Sequence, residues 1–146
     1  MTTYFDSSAL VAIYVPERFS KAARRTLRKA PQIPFTQLHQ LEVLNAFELM
    51  VGRGSITRKE CREVQTQLQN DLENNRLVRF SVDLDAVFAS ACNMAASQTA
   101  KLLTRSLDLL HIAAAHLAAC TALVSGDDSQ LAVAKSTGLR TIDIKA

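Results

Sequence analysis

Tyr4-Phe5-Asp6-Ser7-Ser8-Ala9-Leu10-Val11 passes from an apolar pair with strand character, through a single acid, into residues that suit a helix. The same progression recurs near the far end of the chain. There Leu123-Val124-Ser125 runs through Gly126 into Asp127 and then into a helical stretch from Ser129 to Thr137. Short apolar segments of strand character are predicted at Thr3 to Phe5, Ile33 to Phe35, Leu77 to Phe80, Leu123 to Ser125 and Thr141 to Ile144. Their alternation with longer helical stretches is the mark of an α/β domain with a parallel sheet.

The helix signals fill the gaps. Ser7 and Ser8 are placed to cap a first short helix that Pro16 closes, and a second stretch covers Phe19 to Ala30. Pro31 and Pro34 bracket the second strand. Gly52 and Gly54 interrupt a helix beginning at Thr36 and reaching Val51, and Thr57-Arg58-Lys59-Glu60 is a capping box that opens another, Thr57 to Leu72. Later helices are expected over Leu84 to Thr99, Ser106 to Ala119 and Ser129 to Thr137, with Asp128 capping the last and Gly138 stopping it. No linker, repeat or low-complexity segment divides the chain, so residues 1–146 read as one domain.

A chain of 146 residues can bury one substantial core, and 48% hydrophobic with 21% charged residues excludes a disordered or fibrous protein. The first residues do not form a basic-then-apolar leader. The longest apolar stretch, Ile112 to Cys120, is broken by His116 and falls short of the roughly 20 residues a bilayer needs, so no membrane association and a cytoplasmic location are expected. Cys61, Cys92 and Cys120 are odd in number and lack a C-x-x-C pair, which fits neither a disulfide framework nor a zinc site. A net charge of +3 does not by itself imply a nucleic-acid partner. Two basic clusters are more informative than the sum: Lys21, Arg24, Arg25, Arg28 and Lys29, then Arg53, Arg58, Lys59 and Arg62, each also explicable as solvated helix surface.

The informative residues are carboxylates in apolar surroundings, because a buried ionised carboxylate is costly unless paired or bound to a metal. Asp6 and Asp127 follow strands, and ligands of an open parallel sheet bind outside the carboxyl ends of its strands. Asp108 lies in the first turn of the apolar helix Ser106-Leu107-Asp108-Leu109-Leu110-His111-Ile112-Ala113-Ala114-Ala115, and Glu42 shares a helical face with His39 and Asn45. Singly, each has a plainer reading as a helix cap, a favourable charge at a helix start or a partly exposed side chain. Together they would repel one another, and a divalent cation relieves that repulsion; all-oxygen ligands select magnesium, or manganese in its place, over zinc or copper. The histidines form no H-x-x-x-H pair. His111, three residues after Asp108, is read either as a packed core side chain or as one that orients the acid or substrate.

These residues resemble a known family. Phe5-Asp6-Ser7-Ser8-Ala9-Leu10-Val11, Leu41-Glu42-Val43-Leu44-Asn45-Ala46, Arg105 to Ala115, and Val124-Ser125-Gly126-Asp127 with Gln130, Ala134 and Gly138-Leu139 are similar, in order and spacing, to the four motifs of PIN-domain nucleases, and among them of VapC-type toxins. Ser125 stands where the family often has Thr, and the hydroxyl is kept. The resemblance implies a three-layer α/β/α fold with a central, mostly parallel five-stranded sheet. It implies Asp6, Glu42, Asp108 and Asp127 as catalytic and metal-binding residues for one or two magnesium ions, with Ser7, Ser8, Ser125 and His111 in support.

The expected reaction is hydrolysis of RNA phosphodiester bonds by activated water, leaving 5′-phosphate and 3′-hydroxyl ends. Arg24, Arg25, Arg58 or Arg62 would contact the RNA backbone. A cognate antitoxin whose C-terminal segment lies in the groove, and a homodimer, are implied in the same way, with partner contacts expected at the helical hairpin after the second strand. Two rivals remain. A catalytically silent PIN-like domain would bind RNA or protein without cutting, since fold alone does not settle activity. A phosphoacceptor domain also gathers acids at strand ends, but usually carries paired acids after its first strand, where this chain has Asp6 followed by Ser7-Ser8.

Overall fold

The computed structural model describes all 146 residues. The chain runs β1 (Thr3–Phe5), α1 (Ser7–Tyr14), α2 (Ser20–Lys29), β2 (Ile33–Phe35), α3 (Gln37–Gly52), α4 (Arg58–Glu73), β3 (Leu77–Arg79), α5 (Leu84–Met94), a π-helical turn (Ala95–Thr99), α6 (Ala100–Leu102), α7 (Ser106–Leu117), β4 (Ala122–Ser125), α8 (Asp128–Ser136) and β5 (Arg140–Asp143). The α/β alternation read from the sequence is present, with every paired strand parallel. No helix is long and apolar enough to cross a membrane.

Adjacent residues of β1 enter different cores, which is what makes the molecule three-layered. Phe5 packs among residues of α1, α2, α3 and α4, whereas Tyr4 packs among residues of α5, α7 and α8. Strand geometry alternates side chains between faces, so a strand buried on both sides must be apolar at consecutive positions, as β1 and β4 are.

The five strands divide into two sheets rather than forming one continuous sheet. Three strands run in the order β1-β4-β5, and β2 pairs with β3 alone. The reason lies at the seam between β1 and β2. Ile33 and Phe35 direct backbone groups at the β3 side, through Ile33 N–H to Arg76 O and Phe80 N–H to Phe35 O, so the residue between them points the other way. That residue is Pro34, which has no N–H to donate. On the opposite side of the seam the Phe5 carbonyl accepts instead from the His39 ring, Nε2 at 2.7 Å. A proline and an imidazole thus replace the ladder.

Caps set most helix boundaries. The N-cap of α1 is Asp6, whose Oδ1 accepts from Ala9 N–H at 2.7 Å, not Ser7 or Ser8. Ser7 is already the first helical residue, and its hydroxyl turns toward Glu42. Likewise Asp127, not Asp128, caps α8, because only Asp127 has extended backbone and an oxygen within reach of Gln130 N–H. The helix expected over Leu84 to Thr99 gives way to a π-helical turn after Met94. Gly54 and Gly138 take positive φ where their helices stop.

The Thr57 capping box forms as expected, with Glu60 N–H donating to the Thr57 hydroxyl and Thr57 N–H donating to the Glu60 carboxylate, both at 3.0 Å. Replacing Thr57 with Ala should lower the unfolding free energy by about 1 kcal/mol in urea denaturation. No change in the denaturant dependence should accompany it, since the box lies on the surface.

Candidate active site

Asp6 is the enclosed member of the site. It ends β1, its N–H donates to Val124 O at 3.0 Å, and its side chain is buried. Its two oxygens have different duties: Oδ1 caps α1, and Oδ2 accepts from the Ser125 hydroxyl at 2.6 Å. Ser125 is fully buried at the end of β4, lies 3.0 Å from Gln130 Oε1, and accepts from Asp127 N–H. Burial raises the Asp6 carboxyl to about 6 against these donors.

Asp127 shows the same division. Oδ1 caps α8 by accepting from Gln130 N–H at 2.9 Å and from the Ser129 hydroxyl at 2.7 Å, while Oδ2 accepts from Arg105 Nη2 at 3.2 Å. Burial pushes its pKa up, but those donors and the Arg105 charge outweigh it and hold the group below its ordinary range. The plain reading of both residues as caps and the reading of them as site acids are therefore compatible, because each uses one oxygen for the helix and presents the other elsewhere.

Asp108, in the first turn of α7, has a buried oxygen, Oδ2, with no hydrogen-bond partner. Arg105 Nε approaches it to 3.6 Å, an ionic contact without a bond. Burial, and after it the charge of Asp127, raises the Asp108 pKa. Charge interactions also tie it to Glu42 and to Asp6, so the four acids share one electrostatic neighbourhood.

Glu42 projects from the second turn of α3 and is held by His111 and Ser7. Its Oε1 accepts from His111 Nε2 and, at 2.9 Å, from the Ser7 hydroxyl. Burial raises its pKa, but these bonds win and keep it below the ordinary carboxylate range. The other nitrogen of His111 faces the Tyr4 hydroxyl at 2.7 Å, so the imidazole is gripped at both ends. His39 completes this buried group, its ring centroid 4.7 Å from that of Tyr4 and 5.0 Å from that of His111. Its Nδ1 accepts from Thr36 N–H while Nε2–H donates to Phe5 O, an arrangement for the neutral ring, and burial lowers its pKa to about 3. His111 therefore both packs in the core and orients an acid.

As they stand, no three carboxylates or histidines are gathered closely enough to hold a metal ion. The physical causes are visible: Glu42 is turned to His111, and Arg105 lies across Asp108 and Asp127. Two clefts flank the acids. One of about 290 Å³ contains Asp6, Ser8 and Asp127, the other of about 340 Å³ contains Ser7, Ser8 and Glu42, and exposed Glu17 lines both. Ser8 is exposed at their junction.

The expected RNA contacts lie elsewhere. Arg24 donates to Ile13 O, Arg58 pairs with Glu48 at 2.6 Å, Arg25 is exposed on α2, and Arg62 lines a shallow surface on α4 with Lys59 and Glu63. None of the four pairs with a site acid. The cation that does is Arg105, which sequence reasoning passed over. Its position at the N-cap of α7, three residues before Asp108, was a signal, since N-cap and N3 side chains approach each other at a helix start. Tyr4 and His39 were also missed as part of the site; Glu17 carried no signal at all.

A family model described as PIN domain matches residues 3–136. Among solved structures the chain resembles FitAcB from Neisseria gonorrhoeae, with a TM-score of 0.64 and 12% identity over 99% of each chain. It also resembles VapBC2 from Rickettsia felis bound to a DNA fragment from their promoter, with a TM-score of 0.58 and 14% identity over 98% of each chain. No curated protein matches the sequence. At these identities the structural likeness is one of fold.

The raised Asp6 pKa predicts a pH effect in chelator. The folded carboxyl holds its proton up to about 6, whereas the unfolded one releases it near 3.8, so the folded state binds more protons between those values. Stability should therefore rise as pH falls from 7 toward 4. Asp6→Asn, whose amide can donate to Ser125 Oγ while that hydroxyl donates to Gln130, should remove this dependence and stabilise the protein at pH 7 by about 3 kcal/mol. Urea unfolding of both proteins at pH 7 and pH 5 tests it. A wild type that loses stability relative to the variant as pH drops would contradict the assignment.

Proposed function

This chain belongs to the PIN-domain family, and from that premise we propose that it is a magnesium-dependent endoribonuclease, the toxin of a toxin and antitoxin pair. The observation that carries this reading is Asp108 Oδ2, a buried carboxylate oxygen without a hydrogen-bond partner in the company of three other acids. An unused charge in such a place is expensive, and a hard cation is its natural complement. The donor set is all carboxylate, which fits magnesium, with manganese able to substitute.

Asp6, Glu42, Asp108 and Asp127 would hold the ion. The chemistry it supplies when bound is Lewis acidity, making water nucleophilic at neutral pH and offsetting charge on the reacting phosphate. The protein's own contribution is placement. Ser125 fixes Asp6 through Oδ2, and the N-termini of α1 and α8 fix Asp6 and Asp127 through Oδ1. His111, clamped by Tyr4, sets the direction of Glu42, with Ser7 as its second donor. The two clefts, which share Ser8 and Glu17, would carry a single strand of RNA past Asp6, Asp127 and Glu42. Hydrolysis would leave 5′-phosphate and 3′-hydroxyl ends.

An antitoxin partner is supported by the fold shared with FitAcB and VapBC2. A homodimer is part of the same reading, and exposed apolar side chains such as Leu41, Phe88 and Leu107 leave surface for it. Partner binding to the folded state would raise the melting temperature as well as occlude the acids.

The test is purified full-length protein incubated with a mixed RNA pool in magnesium, in chelator, and as Asp6→Asn and Glu42→Gln. Cleavage should require magnesium and fall by at least about a hundredfold in each variant, with mapped ends carrying 5′-phosphate. RNA bound but uncut by the wild type, after any copurifying partner is stripped away, would instead favour a catalytically silent RNA-binding domain.

A further inference from the structure

Arg105 is the only lysine or arginine paired with any of the four acids. Its Nη2 lies 3.2 Å from Asp127 Oδ2 and its Nε 3.6 Å from Asp108 Oδ2, while 78% of the side chain stays exposed to solvent. It therefore reaches from the surface across two acids whose mutual repulsion is already felt at Asp108.

The backbone that carries Arg105 is held out of helical form at a cost. After the π-helical turn and α6, Leu103 adopts a left-handed conformation with φ 54° although it has a branched side chain, and that side chain is exposed. Thr104 is buried with a hydroxyl oxygen lacking a partner. Arg105 itself is extended and makes no side-chain cap for α7. Neither the burial of Leu103 nor the capping of α7 accounts for this path. Its consequence is to set one guanidinium over Asp108 and Asp127.

Resting on the metal-nuclease reading, the geometry points to Arg105 as a resident counter-cation that a divalent ion displaces from Asp108 and Asp127 and that then binds the RNA phosphate beside them. Occupancy is exclusive because both cations need the same oxygens, Oδ2 of Asp108 and Oδ2 of Asp127. Displacement is easy because ion pairs of an exposed guanidinium are weak. The released side chain remains tethered next to the acids, and its planar fork of donors suits a phosphate better than a lysine would. Arg105 thus exchanges one anion for another.

Full-length wild type, Arg105→Gln and Arg105→Lys are compared in two assays. In the first, manganese affinity is measured by calorimetry without RNA: Arg105→Gln should bind about three- to tenfold more tightly than wild type, having lost the competitor, and Arg105→Lys should lie between them. In the second, steady-state cleavage at saturating magnesium should show KM for RNA raised about tenfold in Arg105→Gln, with kcat altered less and the lysine variant partly restoring KM. The opposite directions of the two effects separate this role from a merely structural one. Manganese affinity unchanged or weakened in Arg105→Gln, with wild-type cleavage intact, would overturn the proposal and leave the nuclease reading standing. An unchanged KM would overturn the phosphate role. Absence of manganese binding in both wild type and Arg105→Gln would overturn the metal reading and this proposal with it.

Discussion

Asp6 sits where the β1–β4 pairing, the start of α1 and the end of β4 meet, and a carboxylate cannot be enclosed there unless every oxygen is accounted for. Its Oδ1 is committed to the first turn of α1 and its Oδ2 to Ser125, which in turn lies against Gln130 and receives Asp127 N–H. This chain of bonds joins the first eight residues to residues 125–130, nearly the whole sequence apart. It ties the register of the central strands to the positions of two of the candidate acids, Asp6 and Asp127, so these acids and the sheet cannot be displaced independently. Buried polar networks of this kind tolerate little partial satisfaction, since any member left unpaired carries its full desolvation penalty.

The other side of β1 is organised by the absence of a ladder. Because Pro34 offers no donor, the Phe5 carbonyl needs another partner, and His39 supplies it from α3. That bond draws the first turn of α3 against the sheet and sets the angle at which the helix presents Glu42 in its second turn. Tyr4 then packs against both imidazoles, tilted on His39 and hydrogen-bonded to His111, and His111 holds Glu42. The break in the sheet and the orientation of an acid are thus two ends of one packed group. A regular five-stranded sheet would have left no place for His39 at the seam.

What was legible in the sequence is what depends on local pattern. Strand-acid-helix progressions placed Asp6 and Asp127, apolar density placed Asp108 on a buried helix, and the Thr57 box marked a helix start that the structure keeps. Ser7 and Ser8 misled because serine is a good cap in general, yet the residue one position earlier already had the right backbone and a carboxylate. The π-helical turn at Ala95–Thr99 and the left-handed Leu103 were illegible, since Leu84 to Thr99 carries a continuous helical pattern and leucine gives no sign of positive φ. His39 was read only as a neighbour of Glu42 on one face. Three residues advance a helix by about 300°, which leaves the two side chains about 60° apart on one face, so His39 enters the core while Glu42 stays part-buried at its edge. Pairings between distant segments, such as Tyr4 with His111 or Arg105 with Asp127, depend on the assembled fold and have no local signature.

The four acids are not equivalent, and the difference follows from their donors. Glu42 and Asp127 have strong hydrogen-bond donors that overcome burial and favour the ionised form, whereas Asp6 and Asp108 are pushed upward, chiefly by burial. The enclosure that secures Asp6 in the sheet therefore makes its charge costly, and the missing partner at Asp108 does the same there. A cation arriving at the site would gain most from these two, and their ionisation would release whatever proton they carry. Meanwhile Arg105 is paired on the Asp127 side, where ionisation is already favoured. It therefore supplies its counter-charge chiefly there, while Asp108 Oδ2 keeps only a longer ionic contact and no hydrogen bond, so the best-balanced and the least satisfied carboxylates are neighbours in the same set.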